Sequence, residues 1–175
     1  FKKIGIFFRS KKILEDNLHN ISLKKNNPEY QNTISKIWEN YGRIFSDYVF
    51  LNKFRNGYFS DYVQINGSEV LEKVKKEKDP VIFISGHFNN FELMAMIIEK
   101  SGINLSAIYR PLNNIFLNKI MENLRRKYLC KNQIPKGKSG SRNLLKSFKN
   151  GSSIAIMIDQ RVSEGEKILF FNKDA

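Results

Sequence analysis

Short apolar runs alternate with amphipathic stretches through the second half of the chain. The apolar runs contain many β-branched residues and are flanked by Pro or Gly, which is typical of strands buried within a sheet. They cover residues 81–85, 103–109 and 153–158. The amphipathic stretches have the three- or four-residue apolar spacing of helices, and they cover residues 91–100, 114–128 and 141–150. This alternation predicts an α/β fold with a mixed, largely parallel sheet flanked by helices.

The region before residue 80 is more polar. An apolar stripe within residues 10–51 has helical spacing and predicts an amphipathic helix; it consists of Ile34, Trp38, Tyr41 and Phe45. Residues 62–66 alternate between polar and apolar side chains, which predicts a half-buried strand. Asn66 and Glu69 then have the spacing of a capping arrangement, so a short basic helix should follow.

We expect one domain over residues 1–175, because this length suffices for a single hydrophobic core. It divides into a helical segment at about residues 1–57 and an α/β core at about residues 58–175. The chain begins at Phe1 and its final residues follow directly on an apolar run. We therefore expect the domain to be incomplete at its termini.

Charge and composition limit the classes of partner. Lys and Arg outnumber Asp and Glu by 30 to 17, a net charge of +13, which favours nucleic acid, anionic lipid or acidic proteins without choosing among them. A basic nucleic-acid-binding protein is the rival from a different class, although the chain has no helix-turn-helix, zinc-finger or RNP-type signature. One cysteine and two histidines predict neither an internal disulfide nor a zinc site. The longest apolar runs fall far short of the roughly 20 residues that a membrane-spanning helix needs.

Polar residues cluster where the predicted strands end. The first strand is followed by Gly86, His87 and Asn89, the second ends in Tyr109 and Arg110, and the third is followed by Asp159, Gln160 and Arg161. Because ligands bind beyond the carboxyl ends of strands in open α/β sheets, we expect these clusters to meet at one edge.

His87 and Glu92 are the candidate catalytic pair. Five residues on a continuous helix would point them about 140° apart, so they can meet only across a turn. Glu92 would then hold the imidazole and fix its tautomer, and His87 would take the proton of an attacking hydroxyl. Taken alone, the spacing also fits an ordinary loop histidine followed by a helix-start carboxylate.

The residues around this pair resemble a known family. The stretch from Ser85 to Glu92, SGHFNNFE, resembles the signature of the late acyltransferases of lipid A biosynthesis, the lauroyl and myristoyl acyltransferases. The resemblance continues in the family's order through residues 109–111, 136–142 and 158–161, and covers roughly residues 12 to 175.

The resemblance implies a fold like that of the glycerolipid acyltransferases and a specific reaction. A fatty acyl group would pass from acyl carrier protein to a hydroxyl of a lipid A precursor, with His87 as the base and Glu92 as its partner. The reaction would take place at the cytoplasmic face of the bacterial inner membrane, on a peripheral or separately anchored protein, without a metal or redox cofactor. The basic excess would attract anionic lipid headgroups and the acidic carrier protein, and we expect no nucleic-acid partner.

Six further residues are candidates for substrate binding: Arg110, Lys136, Lys138, Arg142, Asp159 and Arg161. Arg110 would grip a phosphate or developing negative charge, although a structural ion pair is the alternative. The three cations of residues 136–142 surround two glycines before a helix, an arrangement that suits phosphate but also fits a solvated loop. Asp159 would orient an arginine or shape the site, or simply cap a helix.

Two positions depart from the family's pattern. Asn89 stands where many relatives have Gly, and Phe91 stands where they usually have Trp. Asn tolerates positive φ better than most residues, so we expect the turn to be retained, and Phe91 should still provide an aromatic packing surface. These two departures therefore bear on which substrate is used, not on which reaction is catalysed. Another glycolipid or a glycerol phosphate is the alternative acceptor, although enzymes that acylate glycerol phosphate usually have Asp where Glu92 stands.

Overall fold

The computed structural model describes residues 11–21, 23–159, 169–170 and 173–174. The chain divides into two compact units, of which the first ends at Asn52 and the second begins at Lys53. This boundary lies close to residue 58, where the α/β core was predicted to begin. The grouping of residues 1–175 into a single domain stays a prediction.

The first unit is helical. It contains α1 (Lys11–Asn20) and α2 (Glu29–Val49), and α3 (Leu51–Arg55) crosses the boundary between the units. The amphipathic helix predicted from the apolar stripe is confirmed as α2, whose Trp38 side chain is buried. The stripe is not buried along its whole length, because Phe45 is 57% exposed.

The second unit is built on a four-stranded sheet. Its strands are β1 (Ile82–Ser85), β2 (Leu105–Tyr109), β3 (Asn132–Pro135) and β4 (Ser153–Met157). They lie in the order β1-β4-β2-β3, and every pairing is parallel. Two short strands, β5 (Leu169–Phe170) and β6 (Lys173–Asp174), form a separate antiparallel pair. The predicted α/β fold is confirmed, and its main sheet is parallel throughout the described residues rather than mixed.

Helices connect these strands. Helix α4 (Ser68–Glu77) precedes β1, and the connecting helices are α5 (Glu92–Lys100), α6 (Ile115–Leu124) and α7 (Lys138–Lys149); a π-helical turn (Arg125–Leu129) continues α6. Two of these helix ends follow the general rules of capping. Gly102 follows α5 with a left-handed φ of 93°, and the Asn114 side chain caps α6 by accepting hydrogen bonds from the N–H groups of Phe116 and Leu117.

The core of the second unit lies between α5 and the central strands. Its buried members are Ala95, Ile98, Ile103, Leu105, Ala107, Cys130 and Ala155. The central strands β2 and β4 begin with three buried residues each, whereas the edge strand β1 alternates, with Ile82 and Ile84 at least half exposed. The sheet is therefore packed best at β2 and β4, which fixes the positions of the loops that follow them.

Cys130 belongs to this core. Its side chain is fully buried, and Sγ lies 3.2 Å from the carbonyl oxygen of Leu105. Burial raises the pKa of the Cys130 thiol to about 11, because a thiolate would lose its hydration there.

The thiol of Cys130 should therefore be unreactive in the folded protein. We expect no modification by a thiol-specific chromogenic reagent at pH 8, and one equivalent of modification after unfolding in guanidinium chloride. Fast reaction of the folded protein at this pH would contradict the burial of Cys130.

The segment before α4 differs from its prediction. The strand predicted at residues 62–66 is wrong, because Ser60–Tyr62 forms a 3₁₀ turn and Tyr62 is 82% exposed. Alternation alone does not form a strand where no neighbouring strand provides hydrogen bonds. The short basic helix is confirmed as α4, but its N-cap is the left-handed Gly67 rather than Asn66. No described helix combines the length and hydropathy needed to cross a membrane.

Candidate active site

The polar clusters predicted at the strand ends do share one edge of the sheet. All four strands are parallel, so the residues that follow β1, β2, β3 and β4 emerge on the same side. Because β4 lies between β1 and β2, the residues after β4 are the immediate neighbours of the loop that follows β1. This strand order brings Asp159 to His87.

His87 and Asp159 form a two-point contact. Asp159 Oδ1 lies 2.6 Å from the imidazole Nδ1 of His87, and Oδ2 accepts a hydrogen bond of 2.6 Å from the backbone N–H of His87. The two side chains are 28% and 39% exposed, so the pair remains open to solvent and substrate. Partial burial raises the pKa of Asp159, but the hydrogen bonds and charge of His87 outweigh it, and this pKa is lowered overall. Asp159 is therefore an ionised acceptor at neutral pH.

This contact determines which nitrogen of His87 can act as a base. An ionised carboxylate accepts hydrogen bonds only, so Nδ1 must carry its proton toward Asp159. In the neutral ring Nε2 is then the basic nitrogen. From the sequence we expected Glu92 to hold the imidazole; in the structure the carboxylate at Nδ1 is that of Asp159. The role of Glu92 stays a prediction.

The loop after β1 is shaped to allow this approach. A Cβ atom on Gly86 would lie 3.0 Å from Asp159 Oδ2 and 2.8 Å from the ring of Phe88, so a side chain here would displace the carboxylate. The ring of Phe91 packs edge-on against the imidazole of His87 at a centroid distance of 4.4 Å. The aromatic packing role predicted for Phe91 is confirmed, and it restricts rotation of the catalytic candidate.

Asn89 has the positive φ that the sequence predicted, at 42°. Replacing Asn89 with glycine should therefore preserve both the fold and the site. Replacing it with valine should lower the free energy of unfolding by about 1–2 kcal/mol, since a β-branched residue is strained in this conformation. Urea denaturation of the two variants checks this difference, and equal stability would contradict a left-handed requirement at Asn89.

Glu92 lies at the start of α5 and faces a cation. Its Oε1 accepts hydrogen bonds from Arg125 Nε at 3.1 Å and Nη2 at 2.5 Å, and the two side chains are only 11% and 13% exposed. The Arg125 guanidinium also lies 5.7 Å from the centre of the Tyr109 ring at the end of β2. We did not predict a site role for Arg125 from the sequence. A buried carboxylate needs a compensating cation, and this rule was the signal by which a basic partner for Glu92 could have been sought in the sequence.

The remaining predicted residues lie around the same edge. Arg110 follows β2 and is exposed, and the Lys136 N–H donates to the carbonyl of Tyr109 at 2.8 Å. Lys138 begins α7, and the exposed Arg142 follows within the same helix. Arg161 lies outside the described residues. The structure thus brings His87 and Asp159 into contact and places Arg110, Lys136, Arg142 and the backbone of Lys138 on loops and a helix at their edge of the sheet.

Gly140 shows why the segment that follows β3 contains glycine. A Cβ atom there would lie 2.0 Å from the carbonyl oxygen of Pro135, at the end of β3. Only glycine therefore allows α7 to begin so close to the strand. Within the described part of the chain, no three His, Cys, Asp or Glu residues are grouped to hold a metal ion.

A parallel α/β sheet with an oriented histidine at its carboxyl edge defines an enzyme-like site for proton transfer. The family model of the bacterial lipid A biosynthesis acyltransferases matches residues 1–175, and the chain belongs to this family. It is therefore an acyltransferase of lipid A and lipopolysaccharide biosynthesis. A search of curated proteins finds no match to the chain.

Proposed function

We propose that this acyltransferase moves a fatty acyl group from acyl carrier protein to a hydroxyl of a lipid A precursor, with His87 as the general base. The observation that carries the proposal is the contact of Asp159 with Nδ1 of His87, which directs the basic Nε2 away from the carboxylate. A hydroxyl is a weak nucleophile until a base removes its proton, and neutral imidazole is suited to this task near pH 7.

The reaction follows from this geometry. Nε2 of His87 accepts the hydroxyl proton while the hydroxyl oxygen attacks the carbonyl carbon of the acyl thioester. The tetrahedral intermediate then collapses, the carbon–sulfur bond breaks, and the departing thiolate takes the proton back from the imidazolium. Asp159 stabilises the imidazolium in between. Glu92 remains part of the proposed catalytic machinery, with Arg125 as the residue that positions it.

The cations at the same edge suit the phosphates of a lipid A precursor. We assign Arg110, Lys136, Lys138 and Arg142 to substrate binding, and Arg161 to the same role on the basis of the family pattern alone. Arg110 follows the central strand β2 and is exposed, so its guanidinium is accessible to an anionic group. The reaction needs no metal or redox cofactor, because acyl transfer from a thioester requires only a base and charge stabilisation.

Location and partners follow from charge and substrate. A lipid acceptor and a soluble acyl donor meet only at a membrane surface, and we place the protein at the cytoplasmic face of the inner membrane. The net charge of +13 favours both an anionic membrane and an acidic carrier protein.

The test is a product-mass assay on the full chain with acyl carrier protein thioester as the donor. A tetra-acylated lipid A precursor and glycerol 3-phosphate are offered as acceptors, and His87→Ala is the control without a base. A gain of one acyl chain on the lipid A precursor with the wild type alone supports the proposal. Acylation of glycerol 3-phosphate instead assigns the other acceptor class, and transfer undiminished in His87→Ala removes His87 as the base.

A further inference from the structure

The first turns of α6 display apolar side chains to solvent. Ile115 is 81% exposed and Phe116 is 84% exposed, and neighbouring apolar residues are exposed by two fifths or more. We call this surface the α6 tip; it consists of Leu112, Ile115, Phe116, Leu117 and Ile120. Such a cluster of large apolar side chains is unfavourable in water, and it indicates a binding surface.

The α6 tip is ordered by its own polar residues. The Asn114 side chain caps the helix, and the Asn118 side chain accepts a hydrogen bond of 2.8 Å from the backbone N–H of Leu112. Helical geometry places Ile115, Phe116 and Ile120 within about 140° of one another, and Leu117 lies farther round the helix. The apolar side chains therefore cover more than one side of a capped helix end, and none of the α6 residues is buried.

Charge around the tip is positive. Between residues 110 and 121 the chain carries Arg110 and Lys119 and no acidic residue. The first carboxylate after this segment is that of Glu122, which pairs with Arg126 at 2.9 Å. Apolar side chains flanked in the chain by cations are the pattern of helices that lie in the interface of anionic lipid bilayers.

The tip is also linked through the chain to the candidate site. It begins a few residues after Tyr109, the last residue of β2, and α6 continues into Arg125, which binds Glu92. On the loop that follows β1, Phe88, which directly follows His87, is 77% exposed. If another surface binds the α6 tip and Phe88, the molecules of that surface come close to the carboxyl edge of the sheet.

We propose that the α6 tip inserts into an anionic lipid surface and so presents the site to its membrane-borne acceptor. This inference rests on the proposed function for the identity of the acceptor. A lipid surface is the occupant that fits best, because acyl chains and headgroups adapt to several sides of a helix end, whereas a protein partner needs a complementary groove. The cations at Arg110 and Lys119 then lie at headgroup level, as cations beside inserted helices do.

The direct test is a polarity-sensitive thiol dye attached at Ile115→Cys in the full chain. Cys130 is buried, so the introduced thiol is the one that reacts. Vesicles that contain phosphatidylglycerol should shift the dye emission to the blue, and vesicles of phosphatidylcholine alone should do so much less. The matched control is Val70→Cys in the first turn of α4, which is 56% exposed and should report no shift.

A second variant separates docking from catalysis. Phe116→Glu should reduce the vesicle partition coefficient by about tenfold or more, since it removes an inserted ring and adds a charge that lipid repels. A carboxylate in the first turn of a helix is favourable, so the fold should be retained, which circular dichroism checks. Val70→Glu makes the same kind of change in α4 and should leave partitioning unchanged, as should His87→Ala.

The outcomes are distinguishable. If vesicle binding depends on Phe116 but no acyl transfer is detected, the docking surface is supported and the proposed function is wrong. A different result is acyl transfer to a vesicle-borne acceptor with no dye shift and no effect of Phe116→Glu. This result overturns the docking surface, but the proposed function is retained. A dye shift that appears with rising protein concentration in the absence of lipid also overturns it, because the α6 tip would then bind a second copy of the chain.

Discussion

Replacing His87 with alanine should lower the rate of acyl transfer by about 10³-fold or more, and replacing Asp159 with asparagine should remove most of the same rate. The first change removes the base. The second retains the shape of the contact, but an asparagine amide can donate to Nδ1 and so favour the tautomer that has its proton on Nε2. That tautomer cannot accept a proton from the hydroxyl. Steady-state kinetics with acyl carrier protein thioester at neutral pH measures both losses.

Two controls make this result specific to the contact. Asp79→Asn changes an exposed aspartate just before β1 and should leave kcat unchanged. Partial burial raises the pKa of Asp159, but its contacts with His87 lower this pKa overall, so the carboxylate stays ionised at neutral pH and rate changes near neutral pH do not arise from its titration. If Asp159→Asn retains the wild-type rate while Glu92→Gln loses it, the residue that orients His87 is Glu92 and the proposed role of Asp159 is wrong.

The sequence predicts much of this fold because its elements obey local rules. The strands that became β1, β2 and β4 are short apolar runs beside Pro or Gly, and α5, α6 and α7 follow helical periodicity. The strand β3 was missed, since residues 132–135 contain Asn, Gln and Pro and lack an apolar pattern. It forms a strand because it pairs with β2, which is a tertiary effect that no local window contains.

The position of the candidate residues at one edge of the sheet was predicted from the sequence, but their contacts were not. His87, Arg110 and Asp159 were expected at one edge of the sheet, and parallel strands place them there. The partner of His87 depends on strand order, because β4 inserts between β1 and β2 and carries Asp159 to the imidazole. Spacing along the chain favoured Glu92, the nearer carboxylate in sequence. Which carboxylate lies next to His87 depends on the order of the strands in the sheet, and spacing along the chain does not contain that order.

Replacing Arg125 with methionine should lower the free energy of unfolding by about 3–5 kcal/mol, the usual loss when one member of a buried ion pair is removed. Methionine approximates the aliphatic stem of arginine, so the loss should arise from the Glu92 carboxylate left without its cation in a site where it is only 11% exposed. Urea denaturation measures this change. Arg43→Met is the matched control, because Arg43 pairs with Glu39 within α2 and these two side chains are 72% and 33% exposed. It should change stability by about 1 kcal/mol or less.

The double variant Glu92→Gln with Arg125→Met distinguishes a lost ion pair from lost packing. Glutamine is nearly isosteric with glutamate and carries no charge, so it should recover much of the stability that Arg125→Met loses on its own. Catalysis should not recover with it, because the proposed role of Glu92 needs a carboxylate held at the start of α5. Stability regained together with full acyl transfer would show that Glu92 and Arg125 support the fold alone, and that the chemistry at this edge belongs to His87 and Asp159.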